Sequence, residues 1–415
     1  ARIEAINFRV RVEGPTPRLA LDGATGGGEG AKRKGTRRAW FDGGFVEAAV
    51  YDRYALADGD AFDGPAIVEE REATTLVPPG DRARIDANLN IRISVARRGR
   101  AETRIDAATS RAAAAALIES DPIALEIMWS RLVTVVEEMW LTVIRTAFSL
   151  VISEAQDFAC ELLDPEGETL AHSPRAMPVF NLTLPRAVKA LIERYPAHTL
   201  RPGDVLVTND PWLCAGHLFD IAVVTPVFRD GALVALMGTV GHVSDIGGTK
   251  DSLSAREIYE EGFQIPPMKL YEAGARNETL FRLLAENVRN PDQVIGDVES
   301  FVAANALGAE RLAAFMADYG MADLRALAQV VQDRSEKAMR EAIAALPEGT
   351  YRSQTENNPL GETLRYPLAL TVAGGTITLD FDGAPPQQPR GGLNSTMNYT
   401  AAHATYPLKC MLTPN

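Results

Sequence analysis

Between Val205 and Gly248 three apolar runs follow one another with little polar interruption, and chemistry-bearing side chains gather at their ends: Asn209, Asp210, His217, Asp220, His242 and Asp245. Val205 to Thr208 reads as a strand entering an Asn-Asp-Pro turn, and Phe219 to Phe228 and Ala232 to Val243 read as two more strands joined at Asp230-Gly231, a strong hairpin signal. This hairpin restricts the chain more than any other feature. Whether its loop holds two residues or three, position 242 arrives beside positions 217 to 220, directly across or one diagonal step away, with β-carbons roughly 5 to 8 Å apart.

Imidazoles and carboxylates set against buried strands are costly unless they are paired or hold a cation. Two histidines and an aspartate that leave coordination positions open suit one catalytic divalent metal, with zinc, manganese and iron all allowed. A closed structural zinc would call for clustered thiolates, whereas Cys160, Cys214 and Cys410 lie far apart with no Cys-x-x-Cys pair. The competing reading makes His217 a turn cap and His242 a hydrogen-bonded core residue; spacing alone leaves both open.

The same residues carry a resemblance. Asn209-Asp210-Pro211, Gly216-His217-Leu218 with Asp220, His242, Asp245-Ile246-Gly247-Gly248, Glu261-Gly262 with Ile265-Pro266-Pro267, and Asn287-Val288-Arg289 stand in the order of the signature of the hydantoinase B/oxoprolinase family. That family includes the corresponding subunits of acetone and acetophenone carboxylases, and the match runs from about Asp121 to the last residue. The resemblance implies metal ligands at His217, Asp220 and His242, a further carboxylate from Ser153 to Phe158 carried here to Asp157, and Glu261 near the site. Asn209 and Asp210 are taken with Glu261 as substrate-binding candidates. Asp245, three residues beyond His242, is the nearest candidate base or outer anchor of the ligands. Two departures are visible: Val243 stands where members often have a second histidine, and Lys250-Asp251-Ser252 replaces a Pro-Gly-Ser.

Residues 1 to 97 are similar to the C-terminal end of the hydantoinase A family, on Val50-Tyr51-Asp52-Arg53, Leu56 with Gly59-Asp60, Gly64-Pro65-Ala66-Ile67-Val68 with Glu70, and Thr74-Thr75 with Val77-Pro78-Pro79-Gly80. The nucleotide-binding body of that family would lie upstream, and the B-type part would continue beyond Asn415, so both ends look cut. The resemblance implies ATP-dependent opening of a cyclic amide or imide such as hydantoin, 5-oxoproline or a lactam. ATP and Mg²⁺ would come through an A-type nucleotide-binding partner that phosphorylates the amide oxygen, and the B-type site would direct water onto the activated carbon. Two alternatives are an ATP-dependent ketone carboxylase subunit and a metal-bearing structural partner without activity of its own.

The fold class expected is α+β: an all-β block over 1–97, a linker over 98–120, and a mixed α/β metal-binding domain with long helices over 121–415. In the first block Ile3 to Val12 alternates like a strand, Gly23 to Gly35 is a loop, and Arg38 to Phe45, Phe45 to Tyr51 and Pro65 to Val77 are short strands. Gly26 to Lys32 fails the spacing of a phosphate-binding loop. Arg97 to Ser120 is a linker or a helical connector. Asp121-Pro122 is a good cap and first position for a helix to about Ser149, whose stripe from Leu125 to Ala147 marks core or a subunit interface, and an oligomer is expected. Ser153 to Asp164 reads as a strand, Pro185 to Tyr195, Leu280 to Leu284, Gly296 to Leu327 and Val330 to Leu346 as helices, and Gly349 to Val372 with Thr376 to Phe381 as strand pairs.

Acidic residues outnumber basic ones, 55 to 42, for a net charge of −13, which disfavours nucleic acid or an anionic membrane as a partner. No apolar run approaches the ~18 residues that a membrane helix needs, the N-terminus lacks a signal-peptide core, and the scattered cysteines fit a reducing cytoplasm.

Overall fold

A computed structural model describes residues 32–41, 44–96, 109–249, 255–359, 361–389 and 391–413. The expected strand Ile3 to Val12, the loop from Gly26, the first part of the linker and Lys250-Asp251-Ser252 lie outside the described residues. The chain divides into two units, Ala1–Ala101 and Glu102–Asn415.

The first unit is all β. Strands β1 (Arg33–Phe41), β2 (Gly44–Asp52), β4 (Ala66–Glu69) and β5 (Thr74–Val77) form one sheet, and β3 (Ala61–Asp63), β6 (Arg82–Ile85) and β7 (Ile91–Ser94) form another. Phe62, Val68, Val77 and Ile85 are buried in its small core.

The second unit opens with α1 (Arg111–Ser120), so this part of the expected linker is helical and buries Ala114 and Ile118. α2 (Pro122–Thr146) is capped by the Asp121 carboxylate and buries Leu125, Met128, Leu132, Val135, Val136, Met139, Trp140 and Val143, the expected stripe. After the short α3 (Leu150–Ser153) come β8 (Phe158–Leu163), β9 (Thr169–His172), α4 (Pro178–Arg194), β10 (Val205–Thr208), β11 (Asp220–Arg229), β12 (Ala232–His242), α5 (Ile258–Glu261), β13 (Met268–Glu272), β14 (Ala275–Arg276) and α6 (Glu278–Asn287). Then follow α7 (Pro291–Tyr319), α8 (Arg325–Ala344), β15 (Gly349–Asn357), β16 (Leu364–Ala373), β17 (Thr376–Asp380) and α9 (Met397–Leu412).

Several expected boundaries move, among them the strand expected over Arg38 to Phe45, which is β1 from Arg33 to Phe41. α4 starts at Pro178 and runs through Pro185. The helix expected over Gly296 to Leu327 stops at Gly320, whose left-handed φ of 67° ends α7, and α8 is one helix from Arg325. The expected strand from Ser153 begins instead at Phe158.

The organising layer is a seven-stranded antiparallel sheet in the order β14-β13-β10-β11-β12-β8-β9. One face packs on α2 and α7 through Val207, Ile221, Val223 and Met237. The other packs on α4 and α9 through Leu206, Ala222, Val224, Leu236 and Val240. Burial on both faces explains why these strands read as continuous apolar runs rather than as alternating ones.

The β11–β12 hairpin turns at Asp230-Gly231, with φ of 50° and 81°, the positive pair that a two-residue turn requires. Arg229 pairs with Ala232, but the register shifts at Val227/Phe228, leaving Val234 without a partner. That bulge sets Asp220 opposite His242. An unbroken ladder from the same turn would set Asp220 opposite Gly241 and turn His242 to the other face, because strand side chains alternate.

Candidate metal centre

Three adjacent strands end together here. Asp220 opens β11, His242 closes β12 directly across from it, and Asp157 immediately precedes β8. The ladder between β12 and β8 ends with Gly241 opposite Phe158, and one step further the His242 amide donates to the Asp157 carbonyl at 3.0 Å. By alternation these three residues share the α4/α9 face of the sheet. His217 arrives from the loop after β10.

That loop is held by Asn209, which is wholly buried. Its amide donates to the carbonyls of Leu218 (2.7 Å) and Phe263 (3.0 Å), and its oxygen accepts from Ile265 N (2.6 Å). Asp210 accepts from Trp212 N at 2.9 Å and from Gln264 at 3.0 Å. Both side chains expected to bind substrate therefore fasten two loops together.

Ligand atoms of His217, Asp220 and His242 all lie within 4.8 Å of one another. Asp220, 1% exposed, faces His217 Nε2 with Oδ2 and His242 Nδ1 with Oδ1, each at 3.2 Å. The two rings stand 4.8 Å apart, and the Phe219 ring stacks on His242 at 5.1 Å. Behind His217, Nδ1 faces Glu261 Oε1 at 3.8 Å, while Glu261 Oε2 accepts from Leu218 N at 3.4 Å. Glu261 thus stands behind the His217 ring, where carboxylates that orient metal-binding imidazoles are found.

Electrostatics are those of a charged nest in a dry wall. Burial opposes charge on His217, but Asp220 first, then Glu261 and Asp157, more than offset it and raise the imidazole above its ordinary range. Burial alone would lift Asp220, yet the two histidines hold it below the usual carboxylate range. Asp157 is raised, chiefly by burial, with His242 opposing and Asp220 adding to the rise.

The donor set suits a divalent ion. Two imidazole nitrogens and a carboxylate converge at one point, and Asp220 Oδ2, although 3.2 Å from His217 Nε2, is a buried oxygen without a well-directed hydrogen bond. Bonds of ~2.1 Å to an ion would satisfy that atom after small side-chain rotations. Asp157 falls outside the three-residue group. Among the described residues no side chain or backbone group hydrogen-bonds its carboxylate.

Asp245 is placed differently from a free base. It is 4% exposed; Oδ1 accepts from Arg289 NH1 at 2.6 Å and from Gly247 N at 3.3 Å, and Oδ2 accepts from the Arg289 amide. Arg289 also donates to the carbonyls of Gly247 and Gly248. Gly247, at φ 82°, leaves no room for a side chain, since a Cβ there would stand 2.4 Å from the Asn287 carbonyl. Arg289 and the Gly247 amide thus engage both carboxylate oxygens and tie down the loop after β12. Arg289 was legible only as part of a motif.

Comparison with known proteins agrees with the residues. A family model described as hydantoinase B/oxoprolinase matches residues 121–415, and one described as hydantoinase/oxoprolinase C-terminal domain matches 2–93. The B-type polypeptide of a putative D-/L-hydantoinase from a Pseudomonas species is 31% identical over 69% of this chain and 50% of its own length. The 5-oxoprolinase of Dictyostelium discoideum is 28% identical over 99% of this chain and 32% of its own length. In structure, the ATP-dependent caprolactamase of Pseudomonas jessenii matches 70% of this chain and 50% of its own, with a TM-score of 0.64 and 29% identity. A nucleotide-free acetone carboxylase shares the fold, with a TM-score of 0.66 at 20% identity over 72% of this chain and 42% of its own. This chain spans between about a third and a half of those proteins. It belongs to the hydantoinase B/oxoprolinase family.

Proposed function

We propose that this chain supplies the metal-dependent B-type site of an ATP-dependent enzyme that opens a cyclic amide of the hydantoin, 5-oxoproline or lactam type. The observation that carries the proposal is the convergence of His217, Asp220 and His242 at the end of β11 and β12. The hydantoinase, 5-oxoprolinase and caprolactamase names of its relatives support the substrate class. The acetone carboxylase supports the fold alone, so a ketone substrate is the second arm of the test.

His217, Asp220 and His242 would hold one divalent cation, zinc, manganese or iron, whose chemistry is to polarise a carbonyl or to bring the pKa of water toward neutrality. Glu261 keeps the His217 ring facing inward, and Arg289 with Asp245 fixes the loop below His242. The Asp157 carboxylate, which meets no hydrogen-bond donor among the described residues, would serve as a fourth ligand or take a proton from the attacking water. Amide resonance makes the ring carbonyl a poor electrophile. An A-type partner carrying ATP and Mg²⁺ would convert its oxygen into a leaving group by phosphorylation. Three unpaired cysteines suit a cytoplasmic setting, and among the described residues no helix is long and apolar enough to cross a membrane.

The deciding experiment measures bound metal in wild type, His217→Ala and His242→Ala, then ATP turnover with an A-type partner. Hydantoin, 5-oxoproline and caprolactam form one arm; acetone or acetophenone with bicarbonate form the other. Metal near one equivalent in wild type and lost in both variants, with turnover in the first arm, is the expected result. Equal metal content in all three proteins would remove the site.

A further inference from the structure

Sequence patterning gave no sign of α9, yet its first turn lies against the loop that carries His217. Thr396 caps it, accepting from Tyr399 N at 3.5 Å. Asn398, 2% exposed, donates to the carbonyl of Cys214, two residues before Gly216. The Tyr399 ring then covers Gly216: a Cβ built at position 216 would stand 2.7 Å from two ring carbons, so a larger residue before His217 would drive the ring away.

Tyr399 packs with the apolar cluster on the α4/α9 face, where Asp220, His242 and Asp157 also stand. A phenol with its ordinary pKa of about 10 is an O–H donor at neutral pH, and burial here raises it further. Among the described residues no group hydrogen-bonds that hydroxyl. A partly buried phenol ordinarily finds an acceptor, and neither the described strands nor the described helices provide one.

We propose that Tyr399 is a substrate-positioning residue, its hydroxyl donating a hydrogen bond to an oxygen of the cyclic amide held over His217, Asp220 and His242. This assignment rests on the cyclic-amide reading above. Tyr399→Phe removes the donor but keeps the ring that packs on Gly216, which separates positioning from packing.

The test loads the full chain, wild type and Tyr399→Phe, with Mn²⁺, and measures metal affinity, thermal midpoint and binding of hydantoin, 5-oxoproline and caprolactam by calorimetry. The expected result is unchanged Mn²⁺ affinity and midpoint, with the bound cyclic amide weakened about threefold to tenfold, the loss of one neutral hydrogen bond. Equal amide binding by both proteins overturns the role of Tyr399 and leaves the site intact. Loss of Mn²⁺ from Tyr399→Phe makes the residue structural and also overturns it. If Mn²⁺-loaded wild type binds none of the three amides, the cyclic-amide reading falls, and this role falls with it.

Discussion

Asp220 meets two imidazoles with one carboxylate, and those rings keep it ionised in spite of its burial. Another buried acid behaves in the opposite way. Glu161, on β8, is wholly buried, accepts from Thr169 at 2.7 Å, and leaves Oε1 unpartnered. Burial pushes it up to about 8 from an ordinary 4.5, against the smaller pull of Thr169. A raised carboxyl keeps its proton in the folded chain while the unfolded chain releases it. Stability from this group is therefore greatest below about pH 4.5 and declines as pH rises to about 8, with a slope approaching ~1.4 kcal/mol per pH unit. Urea unfolding of wild type and Glu161→Gln between pH 5 and 8 should show that decline in wild type alone; parallel profiles would refute it. The histidines and Asp220 were legible because their spacing met a strong turn. The contacts of Asn209, Asp210 and Glu261 were not, since a sequence names a polar side chain without showing which groups its oxygens meet.

At the scale of elements, the hairpin could be read from Asp230-Gly231, and α2 from its cap and stripe. The bulge at Val234 could not, because no glycine or polar residue marks it; it lets the neighbours Val234 and Ala235 both pack into the core on the α2/α7 side. α9 was missed for a related reason. Pro407 lies inside it and the segment from Gly391 has the look of a loop, while the contacts that stabilise the helix, Ala402 in the α4/α9 face and Asn398 on Cys214, come from far away in sequence. Another long-range tie is Arg289, which joins the end of α6 to the loop after β12. Arg289→Ala would strip the buried Asp245 of its cation. Because the guanidinium is half exposed, the expected loss is modest, about 1–3 kcal/mol. Mn²⁺ affinity should also fall, because the loop that follows His242 loses its tie to α6. Unchanged Mn²⁺ affinity by calorimetry would reduce Arg289 to a stabilising contact.

At the scale of the molecule, every candidate ligand belongs to the unit of residues 102–415, while the first unit has a core of its own. Ion binding should therefore stabilise the second unit. Mn²⁺ at about 100 times its dissociation constant should add ~2.7 kcal/mol to that unit's unfolding free energy. Calorimetric scans should show a raised midpoint in wild type and none in His217→Ala or His242→Ala; the same rise in all three would mean that the ion binds elsewhere. The unpaired Val234 carries one more consequence. Between the Asp230-Gly231 tip and the site, losing the bulged residue alone would leave an unbroken ladder with the histidine still opposite Asp220, whereas adding one residue without a second bulge would turn that histidine to the far side of the sheet. Among natural variants of this hairpin, an arm one residue shorter should lack the bulge and still set its histidine opposite the aspartate.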